Sequence, residues 1–188
     1  GFIIDMPTDE KITIRLVKPE EVEDALFAGF LSFKEKIPYQ TLGGFSDTVL
    51  SSLRDMGSKI PDYSKCYVAT HRGKIIGGYF MGPRQIWGET YADLKGVQGV
   101  ALFLLPEYRG MGIGDALRSL PIGMKEYDYV WGMHLSCLGN VPNWVKFGRV
   151  EVESYGGAST TLMDLRVKRA EALTRSRISE VAQPASYQ

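Results

Sequence analysis

The run Gly96–Leu105, GVQGVALFLL, holds a single polar side chain, Gln98. A strand with one wet face would alternate apolar and polar residues. This one does not, so it is expected to lie inside a sheet covered on both faces. Covering a sheet on two sides takes helices in two layers, which restricts the chain to a mixed α/β architecture. Directly after the run comes PEYRGMGIGD, Pro106–Asp115, with Gly110, Gly112 and Gly114 ahead of a helix start in GDALRSLP. Glycine inside an element costs about 0.5–1 kcal/mol relative to alanine. Three of them so close together point to a turn with unusual dihedrals, or to a ligand that touches backbone.

The rest of the chain supplies the layers. KITIRLVK (Lys11–Lys18) alternates with period two and reads as a strand. PEEVEDALFAGFLSF has proline and acids in a first turn and then helical apolar spacing. SDTVLSSLRDMG (Ser46–Gly57) is bounded by a polar cap and a closing glycine, so a second helix is expected. KCYVATHRGKIIGGYFMG predicts a hairpin turning at Arg72–Gly73. Pro121 and Gly123 should end the helix after the glycine loop near Leu120. YDYVWGMHLSCL predicts a second buried strand, NVPNWVKFG a short helix or turn, and VEVESYGGASTTLMDLRV a closing hairpin around Gly156–Gly157. The order β-α-α-β-β-β-α-β-α-β-β gives one mixed α/β domain over residues 1–167. Residues 168–188 read as an exposed helix with a frayed end.

Two nucleotide-binding readings of the glycine loop fail on spacing. A P-loop needs GxxxxGK[ST], and no Lys-Ser or Lys-Thr follows here. A dinucleotide fingerprint needs GxGxxG at the strand end, but Asp115 stands where the third glycine belongs and Pro106–Glu107 intervene. Arg109-x-x-Gly112-x-Gly114, after a buried strand and before a helix, resembles the coenzyme A signature [RQ]xxGx[GA] of the GCN5-related N-acetyltransferase (GNAT) superfamily. Its glycines let successive N–H groups curl around an anion, and a helix N-terminus adds partial positive charge. CYVATHRGKIIGGY and FGRVEVESY resemble further family stretches in the family's order, from Lys11 to Val167. A tight turn with no ligand is the plain alternative.

The resemblance implies a central, mostly antiparallel sheet with helices on both faces. It also implies transfer of an acetyl or other short acyl group from acetyl-CoA to a primary amine. Gly110, Met111, Gly112, Ile113, Gly114 and Asp115 would offer N–H groups to the pyrophosphate, with Arg109 as a nearby cation. The pantetheine arm would pair with backbone around Leu102, Phe103 and Leu104. A base must take the ammonium proton, and a group near the working pH suits best. His134, or the loop acids Glu89 and Asp93, are the candidates. The family's thiolate-protonating tyrosine falls at Trp144, whose indole N–H only donates a hydrogen bond. Ser136 or Tyr155 would have to substitute, or the thiolate would leave unaided. Pro142 disfavours a regular helix in that segment. An aromatic acceptor wall is expected from Tyr39 and Phe45 on one side and Trp87 and Tyr91 on the other. A noncatalytic coenzyme A-binding or regulatory module with the same fold is the alternative.

Composition narrows the partners. Basic and acidic side chains balance at 22 each, so no general attraction to nucleic acid or to an anionic membrane is expected. The acceptor is expected to be a small-molecule or peptide amine, with a homodimer allowed and no metal required. Cys66 and Cys137 lack CxxC spacing and read as buried thiols. No apolar run reaches the ~18 residues that span a bilayer, and a cytoplasmic setting is the expectation.

Overall fold

The computed structural model describes residues 2–5, 11–33 and 63–182. The second helix expected at Ser46–Gly57, and with it Tyr39 and Phe45, lies outside the described residues. The elements are β1 (Phe2–Asp5), β2 (Lys11–Leu16), α1 (Val22–Phe33), β3 (Cys66–His71), β4 (Lys74–Pro83), β5 (Gly96–Leu104), α2 (Ile113–Ser119), β6 (Tyr129–Leu135), α3 (Val141–Phe147), β7 (Val150–Tyr155), β8 (Ala158–Asp164) and α4 (Leu165–Ala182). Among the described residues the strands form one sheet in the order β1-β2-β3-β4-β5-β6-β8-β7. Every neighbouring pair is antiparallel except β5–β6.

Helices cover both faces. On one face Ile113 and Leu117 of α2, Trp144 of α3 and Leu165 of α4 pack against Ile76, Tyr79, Met81, Val97, Val130 and Met163. On the other face Ala25, Leu26 and Ala28 of α1 pack against Val68, Phe80 and Phe103. A smaller apolar cluster gathers Ile86, Tyr129, Trp131 and Leu162 below the 84–95 loop.

The hairpin between β3 and β4 turns where the sequence placed it. His71 pairs with Lys74 across Arg72 (φ 52) and Gly73 (φ 75). Two consecutive positive φ angles match the twist of a two-residue β-hairpin loop. Pro121 is the second residue of a 3-10 turn, Leu120–Gly123, that ends α2. Pro142 behaves otherwise than expected. It lies in the first turn of a regular α3, where a missing N–H breaks no helical bond.

Two further features differ from the sequence reading. The four-residue edge strand β1 was not anticipated. The closing strand β8 stops at Asp164, three residues short of Val167, and α4 starts at once. The start of α4 is anchored at Leu165 and Arg169, and residues 170–177 beyond it are exposed. Leu165 is fully buried, and Arg169 donates to the carbonyls of Ile122, Met124 and Tyr127 at 2.8, 2.6 and 2.8 Å. Its apolar content is too low for a stripe, so the docking rests on Leu165 and on one arginine capping the carbonyls of the turn below.

Candidate active site

The buried strand β5 is two half-strands. Gly96, Val97 and Gln98 pair in parallel with Tyr129, Val130 and Trp131 of β6. Beyond Gln98 that pairing stops, while pairing with β4 continues to Leu104. The register between β4 and β5 slips here: Met81 faces Gly99 and Phe80 faces Ala101, which leaves Val100 as a bulge. A bulge bends the strand and sharpens its twist, and that turns the second half of β5 away from β6. Burial follows the split. Gly96–Gln98 and Phe103–Leu104 are buried, whereas Gly99–Leu102 are half-buried. The expectation of a strand covered throughout therefore fails in its middle, at the residues left without a β6 partner.

The glycine loop lies at the far end of this free edge. Gly110 and Gly112 have φ of 79 and 85, and nothing lies within 4 Å of where their Cβ atoms would be. These positions need glycine for backbone reasons, since an L-residue strains there. Gly112 caps α2, and the first helical bond runs from the Ala116 N–H to the Gly112 carbonyl at 3.1 Å. The N–H groups of Ile113, Gly114 and Asp115 thus precede the helical ladder. Ile113 itself is fully buried and anchors the loop to the core, while the Met111 side chain is exposed.

A cleft of about 530 Å³ joins the two features. Leu102, Phe103 and Leu104 line it together with Arg109, Gly110, Gly112, Gly114 and Asp115. Its remaining walls come from Ser32 and Phe33 of α1, Arg118 of α2, and Leu138, Asn140, Asn143, Lys146 and Phe147 in and before α3. Arg109, Arg118 and Lys146 face one acid, Asp115, which is 3.0 Å from Arg118. This balance suits an anion. Arg109 is not a loose cation, however. Its Nε donates to the Leu104 carbonyl at 3.1 Å and its Nη2 to the Ser32 carbonyl at 3.0 Å, tying the strand end to the C-terminus of α1. The buried Oδ1 of Asn140 has no partner among the described residues. Sequence reasoning missed the α3 wall because its residues are single polar side chains with no motif of their own.

The residues expected to handle protons are not gathered at the cleft. His134 is buried, with Nε2 at 2.7 Å from Thr161 Oγ1 and its ring 5.3 Å from that of Trp144. Burial, and then the charges of Arg149 and Arg118, push its pKa down to about 4. A base of that strength would take little of an ammonium's proton, and its Nε2 is already engaged by Thr161. Glu89 and Asp93 are exposed on the 87–94 turn. Ser136 is exposed at the end of β6, where its N–H donates to the Gly157 carbonyl at 2.9 Å. None of these four lines the cleft. Tyr155 closes the β7–β8 pairing opposite Ala158. Trp144 is buried, with an indole N–H that has no partner among the described residues.

Trp87 and Tyr91 each pack on a ring of β6, and neither lines the cleft. Trp87 stands edge-on to Trp131 at 5.3 Å and donates from Nε1 to Glu153 at 3.0 Å. Tyr91 lies 5.3 Å from Tyr129. Both rings pack beside the start of β6, and Tyr91 belongs to the small apolar cluster there.

No protein-family model matches this chain, and no curated protein matches it. Solved structures do. A Pyrococcus horikoshii protein is 17% identical over 81% of this chain and 98% of its own, with a TM-score of 0.63. PaiA N-acetyltransferase of Thermoplasma acidophilum, crystallised in complex with coenzyme A, is 15% identical over 81% of this chain and 98% of its own, at 0.55. A GNAT-family acetyltransferase of Listeria monocytogenes is 13% identical over 87% and 99%, at 0.57. This chain has the GNAT fold. At these identities the likeness is one of backbone. Within the GNAT fold of this chain, the free end of β5 and the glycine loop are among the features that line the cleft. Among the described residues no helix is long and apolar enough to cross a membrane.

Proposed function

We propose that the chain is a coenzyme A-dependent N-acyltransferase. It moves an acetyl or other short acyl group to a primary amine of a small molecule or peptide by direct attack. The observation that carries this reading is the single cleft lined at once by the free edge Leu102–Leu104 and by the loop Gly110–Asp115. The loop amides and the cations Arg118 and Lys146 suit a pyrophosphate. The unpaired edge of β5 suits an extended pantetheine arm, which would add to the sheet as a strand does. An amide there would polarise the thioester carbonyl, an effect worth ~3 kcal/mol where such donors have been removed. With His134 buried and the loop acids away from the cleft, the surplus ammonium proton passes to water. Residues 1–167 carry the activity in this reading.

A coenzyme A-binding module without transfer is the second reading. Trp144, buried where the family places its tyrosine, favours it. Incubation with labelled acetyl-CoA and a panel of primary amines separates the two. Transfer of label supports the enzyme. Binding without transfer to any amine supports the module, and no binding at all removes both.

A further inference from the structure

Beneath the point where β5 and β6 part lies a positive charge with no acid bonded to it among the described residues. Arg149 is 3% exposed. Its Nη2 donates to Tyr79 Oη at 2.7 Å and its Nη1 to Thr161 Oγ1 at 3.2 Å, while its Nε has no partner among the described residues. Its guanidinium lies 4.1 Å from the centre of the Trp144 ring, and that of Arg118 lies 4.9 Å from the same ring. Arg118 has the exposed Asp115, but among the described residues no carboxylate bonds to Arg149. The other titratable groups facing this space are Tyr79 and the neutral His134. A buried guanidinium without a counter-charge costs several kcal/mol in general. Packing alone gives no reason to keep one, since an apolar side chain of similar volume would fill the space more cheaply.

Its position gives a reason. Gly99 is the first β5 residue past the last pairing with β6. A Cβ on Gly99 would strike the Tyr79 hydroxyl. A Cβ on Gly132 of β6 would lie 2.9 Å from the Gly99 carbonyl oxygen and 3.4 Å from Arg149 Nη1. The Tyr79 hydroxyl thus lies against the backbone of Gly99, and Arg149 against that of Gly132, where the strands part, while neither side chain lines the cleft itself. Five strand residues, or about 17 Å at the usual rise per residue, separate Leu104 beside the glycine loop from Gly99. That is the order of length of an extended pantetheine arm, so the thioester end of such an arm belongs at this point.

We propose that Tyr79 and Arg149 form a cationic floor that stabilises the thiolate released when the acyl group is transferred. This rests on the acyl-transfer reading above. The amine's electron pair forms the N–C bond, and the C–S pair passes to sulfur. The surplus ammonium proton goes to water. Sulfur keeps its pair while the Tyr79 O–H donates to it, and takes a proton from water on leaving. Burial raises the Tyr79 phenol above its ordinary range, against the opposing pull of Arg149, so Tyr79 donates a hydrogen bond and keeps its proton. Tyr79 is the catalytic residue of the pair. Arg149 is a positioning residue, since it holds the phenolic oxygen as acceptor and leaves the phenolic hydrogen free to point at sulfur.

The test needs no acceptor amine. The chain is saturated with coenzyme A, and the thiol is titrated by the ultraviolet absorbance of its thiolate, with the desulfo-coenzyme A complex as blank. In the wild type the bound thiol should ionise at least one pH unit below the free thiol, a tenfold change. Tyr79→Phe, which keeps the ring against Trp144, should return most of that shift. Arg149→Met should do the same with no loss of thermal stability, and Arg149→Lys should retain more of the shift than Arg149→Met. At a pH below both ionisations, calorimetry should give coenzyme A affinities within about threefold of wild type for every variant, a difference well under 1.4 kcal/mol. A bound thiol that ionises like the free one, or a shift that survives Tyr79→Phe, overturns the proposal and leaves the binding reading intact. Failure of the wild type to bind coenzyme A overturns both.

Discussion

Gly112→Ala separates the two things the glycine loop does. Gly112 has φ 85, and a methyl group added there meets nothing within 4 Å. The substitution therefore carries no packing penalty, only the cost of holding an L-residue in the left-handed region, roughly 1–2 kcal/mol. In a chain of this size that corresponds to a fall in Tm of about 2–8 °C. If the backbone relaxes instead, the loop amides turn away and the hydrogen bonds to a pyrophosphate weaken. Such bonds to charged groups are worth about 1.5–3 kcal/mol each, so losing one weakens coenzyme A binding about 10- to 100-fold. The assays are thermal melting and calorimetric titration with coenzyme A. Gly156→Ala is the control, because that glycine also has open space around it but no positive φ. It should change neither quantity. A Gly112→Ala protein with both wild-type Tm and wild-type affinity, or a Gly156→Ala protein with an equal loss, would refute the reasoning.

Three further outcomes follow from the same contacts. The His134 pKa of about 4 lies below its ordinary 6.5, so between those values the unfolded state binds the extra proton and stability falls as pH falls. From pH 7.5 to pH 5 the loss is about 2 kcal/mol, visible in urea midpoints, and His134→Gln should remove that slope; an unchanged slope would contradict the assignment. Glu21 is held down to about 2, first by its hydrogen bonds from Arg15. Its contribution is present above the ordinary 4.5 and lost as pH falls toward 2, yet the pair is near solvent, so Glu21→Gln should cost under about 1 kcal/mol at neutral pH. Arg109→Met removes the bonds to the Leu104 and Ser32 carbonyls. It should lower stability by about 1–3 kcal/mol in urea unfolding, with a smaller effect on coenzyme A affinity than Gly112→Ala.

The sheet and the loop could be anticipated because their signals are local. Arg72–Gly73 announces a hairpin by turn chemistry, and Gly110 and Gly112 announce positive φ because other residues strain there. The break in β5 could not be anticipated in the same way. Its sequence is apolar apart from Gln98, and only the bulge at Val100 and the loss of β6 beyond Gln98 expose its middle. His134 looked like a base because histidine titrates near neutrality. Its burial beside Arg149 depends on β6, β8 and α3 converging, which no local pattern records. Arg149 itself sits in FGRVEVESY with nothing to distinguish it from a surface arginine. Leu165 and Arg169 likewise belong to a polar segment, and the docking of α4 becomes visible only when the carbonyls of Ile122, Met124 and Tyr127 are brought beneath it.

Amide hydrogen exchange with and without coenzyme A probes the cleft most directly, because the proposed contacts are made by main-chain N–H groups. Coenzyme A should slow exchange within Gly110–Asp115 and along Val100–Leu104, and leave the β7–β8 hairpin unchanged. Exchange in both segments that stays the same at saturating ligand, or slowing confined to other parts of the chain, would contradict the assignment of this cleft.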